Sequence, residues 1–336
     1  MKRHRSWNRM VLIGAVLILG AAGLFLVVPE GAAAPARVDK VTLRLDWIPG
    51  SEHAPVWASR EKGFFREEGL DVQVFPGEGS TVTLKLVGNK NNDFGYAGAD
   101  STMIAFSKGV PVKVVAVLFQ KPPVAIVYPT DRPVKRFEDL YGRRLGTSPR
   151  GVSYKQWEAM AARYNVDRSK IREIPVETAA AKAMEAGVVD AFVGWWLTDG
   201  LILRTKGYSV DWMRFADLGL QFYGTSIVTH EDMVRQKPDL VRRFVRASLR
   251  GWQYMIDHPG EVTEIFLRAN PNIDVAYSRA KVPAVVSLAQ SETTKRLGLG
   301  ASTREEWEAM QKLLVEVKIL EAPIELAKLY TNDFLK

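Results

Sequence analysis

A layered α/β protein, with helices covering both faces of mostly parallel sheets, is what these 336 residues predict. Three observations carry the expectation. Strand and helix patterns alternate with short connections over residues 41–74, and the alternation resumes over residues 124–206. Residues 111–119 form an almost wholly apolar run, as a strand covered on both faces should. The composition, 47% hydrophobic and 25% charged, is that of a globular chain large enough for two medium domains.

Taken in order, Val41, Leu43 and Leu45 alternate with polar neighbours and read as a half-buried strand. Asp46, Trp47, Pro49 and Gly50 break it, and Ser51 is placed to cap a helix running through Arg66, stopped by Gly69. Residues 71–74 make the next strand, so the unit is a right-handed parallel crossover. Ligands of open sheets sit beyond the carboxyl ends of strands, which puts Asp46, Trp47 and His53 on a rim beside residues 78–81. A short helix follows at 82–87, a strand at 93–98, a helix through Lys108, and the apolar strand at 111–119. Strands at 124–128, 144–147, 171–176 and 190–196 then alternate with helices to Tyr164, over 178–186 and over 199–206. Ser153 to Gln156 has the spacing of a capping box for the first of these helices. After a strand at 224–229 the chain reads as helical, with Thr303 and Glu306 forming another start signal.

Cysteine is absent, which removes disulfides, thiolate metal sites and cysteine nucleophiles. Lys2, Arg3, Arg5 and Arg9 precede an apolar run over 10–28 and an Ala34-Pro35-Ala36 cleavage pattern. Residues 1–36 are therefore expected to be a signal peptide or an N-terminal anchor, and either puts residues 37–336 outside the cytoplasmic membrane. Without residues 1–36, which hold four basic residues and Glu30, the net charge falls from +8 to +5. Nothing in that modest excess, or in its placement, points to nucleic acid. No histidine or carboxylate spacing suggests a metal, no cofactor motif is present, and no nucleophile or paired-carboxylate pattern suggests catalysis.

Aromatic residues gather where strands end: Trp47, His53, Tyr96 and Phe119, then Tyr154, Trp195, Trp196, Phe222 and Tyr223. Such rings suit a flat heteroaromatic guest, each stacked pair adding about 0.5–1.5 kcal/mol beyond area burial. Trp195 and Trp196 are adjacent on a strand and face opposite ways, so one faces a cleft and the other a core; the sequence leaves the choice open. Asp199 is either a helix cap or a carboxylate reading a ligand amine, and His53 either a polar surface residue or a ligand contact. Loops at Glu78–Thr81 and Ser148–Ser153 present Ser80 and Ser148 near helix starts, where backbone N–H groups can hold an anion or merely make turns.

The stretch LDWIPGSEHAPVWASREKGFFREEGLDV, residues 45–72, resembles the substrate-binding proteins of ABC importers. It is most similar to the group holding thiamine-pyrimidine precursor binders and nitrate/sulfonate/taurine-like receptors. The resemblance implies a two-lobed type II periplasmic-binding-protein fold, each lobe a mostly parallel sheet with helices on both faces. It implies a discontinuous first lobe, residues 37–121 and 225–336, and a second lobe, residues 122–224. It also implies a monomer that delivers a small molecule to a membrane permease and its ATPase. The ligand implied first is a thiamine pyrimidine precursor, sandwiched by Trp47 and one of Trp195 and Trp196, with Asp199, His53 and Glu78 on its polar edge. Riboflavin, aromatic acids, and alkanesulfonates held near Ser80 and Ser148 are the other ligand classes. The same superfamily contains a pyrimidine synthase, whose donor histidine is matched here by Ser101 and whose cysteine-rich iron motif is matched by residues 220–224. Lys90 matches that enzyme's cofactor lysine. With the histidine and cysteines missing, the expectation is a receptor and not an enzyme.

Overall fold

Ten strands of the described residues fall into two five-stranded sheets in the computed structural model, which describes residues 38–336 except 150, 177 and 178. The leader expected over residues 1–36 lies outside the described residues. The first sheet takes β1 (Asp39–Arg44), β2 (Leu70–Phe75), β3 (Phe94–Gly98) and β4 (Val112–Val117). The second takes β5 (Val124–Pro129), β6 (Arg144–Thr147), β7 (Arg172–Pro175), β8 (Ala191–Trp195) and β9 (Val210–Arg214). The chain then returns to the first sheet as β10 (Thr225–His230). The orders are β2-β1-β3-β10-β4 and β7-β6-β8-β5-β9.

The two-lobed α/β architecture stands, but the sheets are mixed. β1 pairs in parallel with β2, Val41 opposite Val72, and with β3. β10 inserts antiparallel between β3 and β4, and β5 runs antiparallel to both β8 and β9. Both reversed strands lie at the passages between sheets: the chain leaves β4 directly for β5 and comes back as β10. A strand that enters a sheet without a crossover helix has no reason to run parallel to its neighbours.

Fourteen α-helices of the described residues surround the sheets. They are α1 (Ala54–Glu61), α2 (Phe64–Glu67), α3 (Ser80–Gly88), α4 (Ala99–Ser107), α5 (Val152–Arg163), α6 (Ala180–Glu185) and α7 (Leu201–Thr205). The C-terminal part adds α8 (Glu231–Gln236), α9 (Pro238–Asp257), α10 (Pro259–Ala269), α11 (Val275–Ala289), α12 (Glu292–Leu297), α13 (Arg304–Glu316) and α14 (Leu326–Leu329). None is long and apolar enough to cross a membrane.

The single helix expected from Ser51 to Arg66 is instead a short 3-10 turn, α1 and α2. Gly63 breaks it with φ 77°, a left-handed conformation open to glycine. Ser51 does not cap; its hydroxyl donates to Ser278 Oγ at 2.9 Å. Against α1 and α2 lies α9, whose Val241, Phe244, Val245, Trp252 and Met255 follow helical spacing and are all buried. The Phe244 ring stacks on Phe94 of β3, centroids 3.8 Å apart. Helix α9 approaches α1 so closely at Gly251 that an added Cβ would stand 2.4 Å from the Pro55 carbonyl oxygen.

Helix α11 joins the two halves. Val282, Val285 and Leu288 belong to a buried cluster that contains residues of both sheets, among them Leu43, Ala125 and Phe192. The Tyr277 hydroxyl donates to the Leu197 carbonyl at 3.3 Å, and the Gln120 N–H donates to the Leu288 carbonyl at 2.8 Å.

Candidate ligand-binding site

Where the carboxyl ends of β1, β3 and β8 meet the first turns of α3 and α5, they enclose a cavity of about 290 Å³. Asp46 reaches it from the loop after β1, Asp100 and Ser101 from the start of α4, and Trp195 from the end of β8. Phe222, Tyr223 and Thr225, on the return to β10, close the back. A larger cavity of about 590 Å³ lies between α5 and α13, over Met160, Leu220 and Leu313. We assign the site to the smaller one, because it is the one at the strand ends and it gathers the carboxylates and an exposed aromatic ring.

Asp46 is set by its surroundings in detail. Gly77 and Gly79 donate backbone N–H groups to the Trp47 and Asp46 carbonyls at 2.9 and 2.8 Å. A Cβ on Gly77 would stand 2.0 Å from the Leu45 carbonyl, so only glycine fits this clamp. The Asp46 carboxylate meets His53 Nε2 at 2.7 Å and accepts from the Thr225 hydroxyl at 3.4 Å. His53 Nδ1 accepts the Gly50 N–H at 3.1 Å, which leaves the proton on Nε2 to point at Asp46. Burial alone would raise the Asp46 pKa, but the hydrogen bond from His53 leads the contacts that outweigh it and hold the carboxyl below its usual range. For His53, burial disfavours the charge while Asp46 and Glu52 favour it more, and its pKa rises.

Behind this pair, Lys281 of α11 meets Glu52 at 2.7 Å. Burial opposes both charges, yet each holds the other ionised: the Glu52 pKa falls and the Lys281 pKa rises. Asp100 has no such cation, and burial pushes its pKa up. Among the described residues that line the cavity, Asp46 and Asp100 are the acidic ones, and neither lysine, arginine nor histidine is among them.

Of the residues expected at the site, Ser80, Trp195 and Tyr223 line the cavity. Trp195 is 43% exposed, whereas Trp196 is buried in the second lobe and stacks on Trp212 at 5.1 Å. That distinguishes the two tryptophans. Ser80 Oγ accepts the Gly98 N–H, and the Tyr223 hydroxyl accepts from Thr303 N–H and donates to Glu306. His53 is buried behind Asp46 and stands off the wall, because its ring is fully used in holding that carboxylate. Tyr96 is buried in the first lobe's core, beneath His53. Tyr154 turns away to accept from Arg168 at 2.7 Å. Asp199 lies in a turn of π-helix after β8; burial pushes its pKa up to about 6, and the nearby Ala181 backbone only partly offsets this. Trp47 and Glu78 project into solvent on the rim, Trp47 with 56% exposure, and Ser148 sits in the loop before α5. None of these lines the cavity as it stands.

Asp100, Gln156 and Thr225 are wall residues that the reading of the sequence missed. Asp100 and Ser101 follow β3 directly, so the rule of strand ends that located Asp46 would have located them. Gln156 was taken for half of a capping box, but α5 starts at Val152 with Gly151 as its N-cap, which frees the amide for the cavity. Lys90 lies in another cavity with His230 and Asp232, and pairs with Asp232 at 2.7 Å; Ser101 does not share it. Among the described residues no group of three or more His, Cys, Asp or Glu is placed to hold a metal.

A family model described as "NMT1/THI5 like" matches residues 50–262, well over half of the chain. The chain belongs to the NMT1/THI5-like family. Members of this family differ in what their names describe. A riboflavin-binding protein, RibY, of Chloroflexus aurantiacus is 29% identical over 91% of this chain and 90% of its own. The formylaminopyrimidine-binding protein of Halalkalibacterium halodurans is 22% identical over 95% and 96%. A 4-amino-5-hydroxymethyl-2-methylpyrimidine phosphate synthase of Legionella pneumophila is 25% identical over 88% and 92%. Among solved structures, the periplasmic aliphatic sulphonate-binding protein SsuA of Escherichia coli superposes with a TM-score of 0.68. It is 13% identical over 88% of this chain and 92% of its own, a likeness of fold. The protein has the substrate-binding-protein fold of this family.

Proposed function

We propose that this family member is the extracytoplasmic solute-binding receptor of an ABC importer, and that it captures a small flat nitrogen heterocycle between residues 37–121 with 225–336 and residues 122–224. The observation that carries the proposal is the pairing of an exposed ring, Trp195, with two carboxylates, Asp46 and Asp100, in one cavity at the strand ends. A ring packs on Trp195, and an exocyclic amine or ring N–H donates to the carboxylates. Trp47, exposed on the opposite rim, is the second jaw when the lobes close. Asp199, His53 and Glu78 are then supporting or rim residues and not direct readers of the ring. Names of relatives on both sides, riboflavin and formylaminopyrimidine, fit such a guest. A thiamine pyrimidine precursor is the first ligand we propose, and a flavin the second.

Alkanesulfonates are disfavoured by the same wall. A sulfonate beside Asp46, whose carboxyl stays ionised, would meet like charge. The receptor reading is supported, against synthesis, by Ser101 at the position that the resemblance matches to the synthase's donor histidine, and by Lys90 lining a different cavity. The partners are a permease pair and an ATPase, with the receptor acting as a monomer. A thermal-shift and tryptophan-quenching panel of aminopyrimidines, flavins and alkanesulfonates tests the proposal. Quenching and a raised Tm with a ring compound, and neither with taurine, are expected. Stabilisation by sulfonates alone, or turnover of a bound pyrimidine, would end it.

A further inference from the structure

Gln156 is the polar side chain in the wall to which the ring-binding arrangement gives no task. It is 4% exposed, it lines the cavity, and its Oε1 has no hydrogen-bond partner among the described residues. Buried polar atoms almost always have a partner, so one without a partner, on a side chain that lines a cleft, marks a place where an entering ligand supplies the bond. Gln156 stands one turn into α5, a helix of 12 residues whose N-cap is Gly151. Ser153, in that first turn, lines the same cavity. The helix start offers N–H donors and the amide offers an acceptor, within one wall. A group that both donates and accepts satisfies both. A phosphate ester would instead share the cavity with the ionised Asp46 carboxylate, a like charge. Turning the amide over exchanges its oxygen and nitrogen but still leaves a donor and an acceptor there, which a hydroxyl matches in either sense.

We propose that Gln156 and the first turn of α5 form a second subsite of the cleft, which takes a neutral hydroxyl or carboxamide substituent on the ring held at Trp195 and Asp46. The proposal rests on the ring-binding reading above and adds what the far end of the ligand must carry.

The test uses matched compounds and the purified full-length protein. The first set is 4-amino-5-hydroxymethyl-2-methylpyrimidine, its phosphate ester, and 4-amino-2,5-dimethylpyrimidine, which lacks the hydroxyl; riboflavin and lumiflavin form a second pair. By calorimetry, the hydroxyl-bearing member of at least one set binds about tenfold or more tightly than its tail-less partner, as one well-made bond to a buried group requires. Gln156→Leu removes that preference, so that the two members of the set bind with equal affinity. It does not lower the Tm, since an apolar side chain replaces an amide with a partnerless oxygen. Equal losses for both compounds, a preference that survives the substitution, or tighter binding of the phosphate ester would each overturn the subsite.

A second measurement separates this failure from failure of the ring reading. The Gln156 side-chain amide resonance, identified by its loss in Gln156→Leu, is followed while ribitol, a polyol without a ring, is added at high concentration. Movement with ribitol and no tryptophan response to any ring compound keeps the subsite and overturns the ring reading. No movement with ribitol or with any hydroxyl-bearing compound overturns the subsite.

Discussion

At the scale of single residues, the cleft is governed by which carboxylates keep their charge. Asp46 stays ionised because His53 donates to it, and Asp46→Asn should weaken binding of an amine-bearing ring by about tenfold or more, the worth of a charge-assisted bond. Isothermal titration checks this; an unchanged Kd would remove Asp46 from the site. Asp199 makes the opposite case. Its folded pKa is raised to about 6 by burial, above its ordinary value of 3.8, so ionising it in the folded state costs stability. The sign follows: the native state holds the extra proton between these values, and stability falls as pH rises through 6. Asp199→Asn, which cannot ionise, should be more stable than wild type at pH 8 by up to about 2 kcal/mol. The difference should vanish at pH 4, and Tm values of both proteins at the two pH values decide it. Trp195 and Asp46 were legible in the sequence because strand ends in open sheets point at ligands. Asp199 and Tyr154 lie off the cavity wall, and their neighbours Ala181 and Arg168 come from other elements, which spacing along one strand or helix does not reveal.

Elements show a different limit. The strands β1, β2, β3, β6 and β8 carried an alternating or apolar pattern and were placed from it. β9 was not, since Val210–Arg214 holds Asp211 and Arg214 and pairs only at the sheet edge, with β5. The direction of β5 and β10 was illegible for a physical reason: hydropathy sets which face of a strand is covered and says nothing of which way it runs. Helix α9 lies in the part of the chain read as helical, but its closeness to α1 was not legible. Because a side chain at Gly251 would strike the Pro55 carbonyl, which cannot swing aside, Gly251→Val should destabilise by about 1–3 kcal/mol or more through overpacking. Denaturant melts of the variant provide the measurement, and a stability within error of wild type would mean that the two helices separate freely.

For the whole molecule, the first lobe and its ligand wall are braced through a buried ion pair. Removing the cation by Lys281→Met leaves Glu52 buried beside Asp46 with no counter-charge, a change expected to cost about 3–5 kcal/mol. The double variant Lys281→Met/Glu52→Gln should recover most of that loss, because it removes the stranded charge. A double variant no more stable than the single one would show that the pair acts through packing alone. Two lobes were expected from the family resemblance, yet nothing in the sequence marked α11 as common to both. Its Tyr277, Val282 and Leu288 look like any amphipathic helix until the Leu197 carbonyl and the Gln120 N–H are found against it.

A shared beam of this kind decides how the protein comes apart. Since α11 supplies interior surface to each half, calorimetric heating should give one endotherm rather than two. The inner segment, residues 122–224, when excised and expressed alone, should collapse without a settled interior, because the surface around Phe192 and Leu197 is finished by a helix encoded some seventy residues further on.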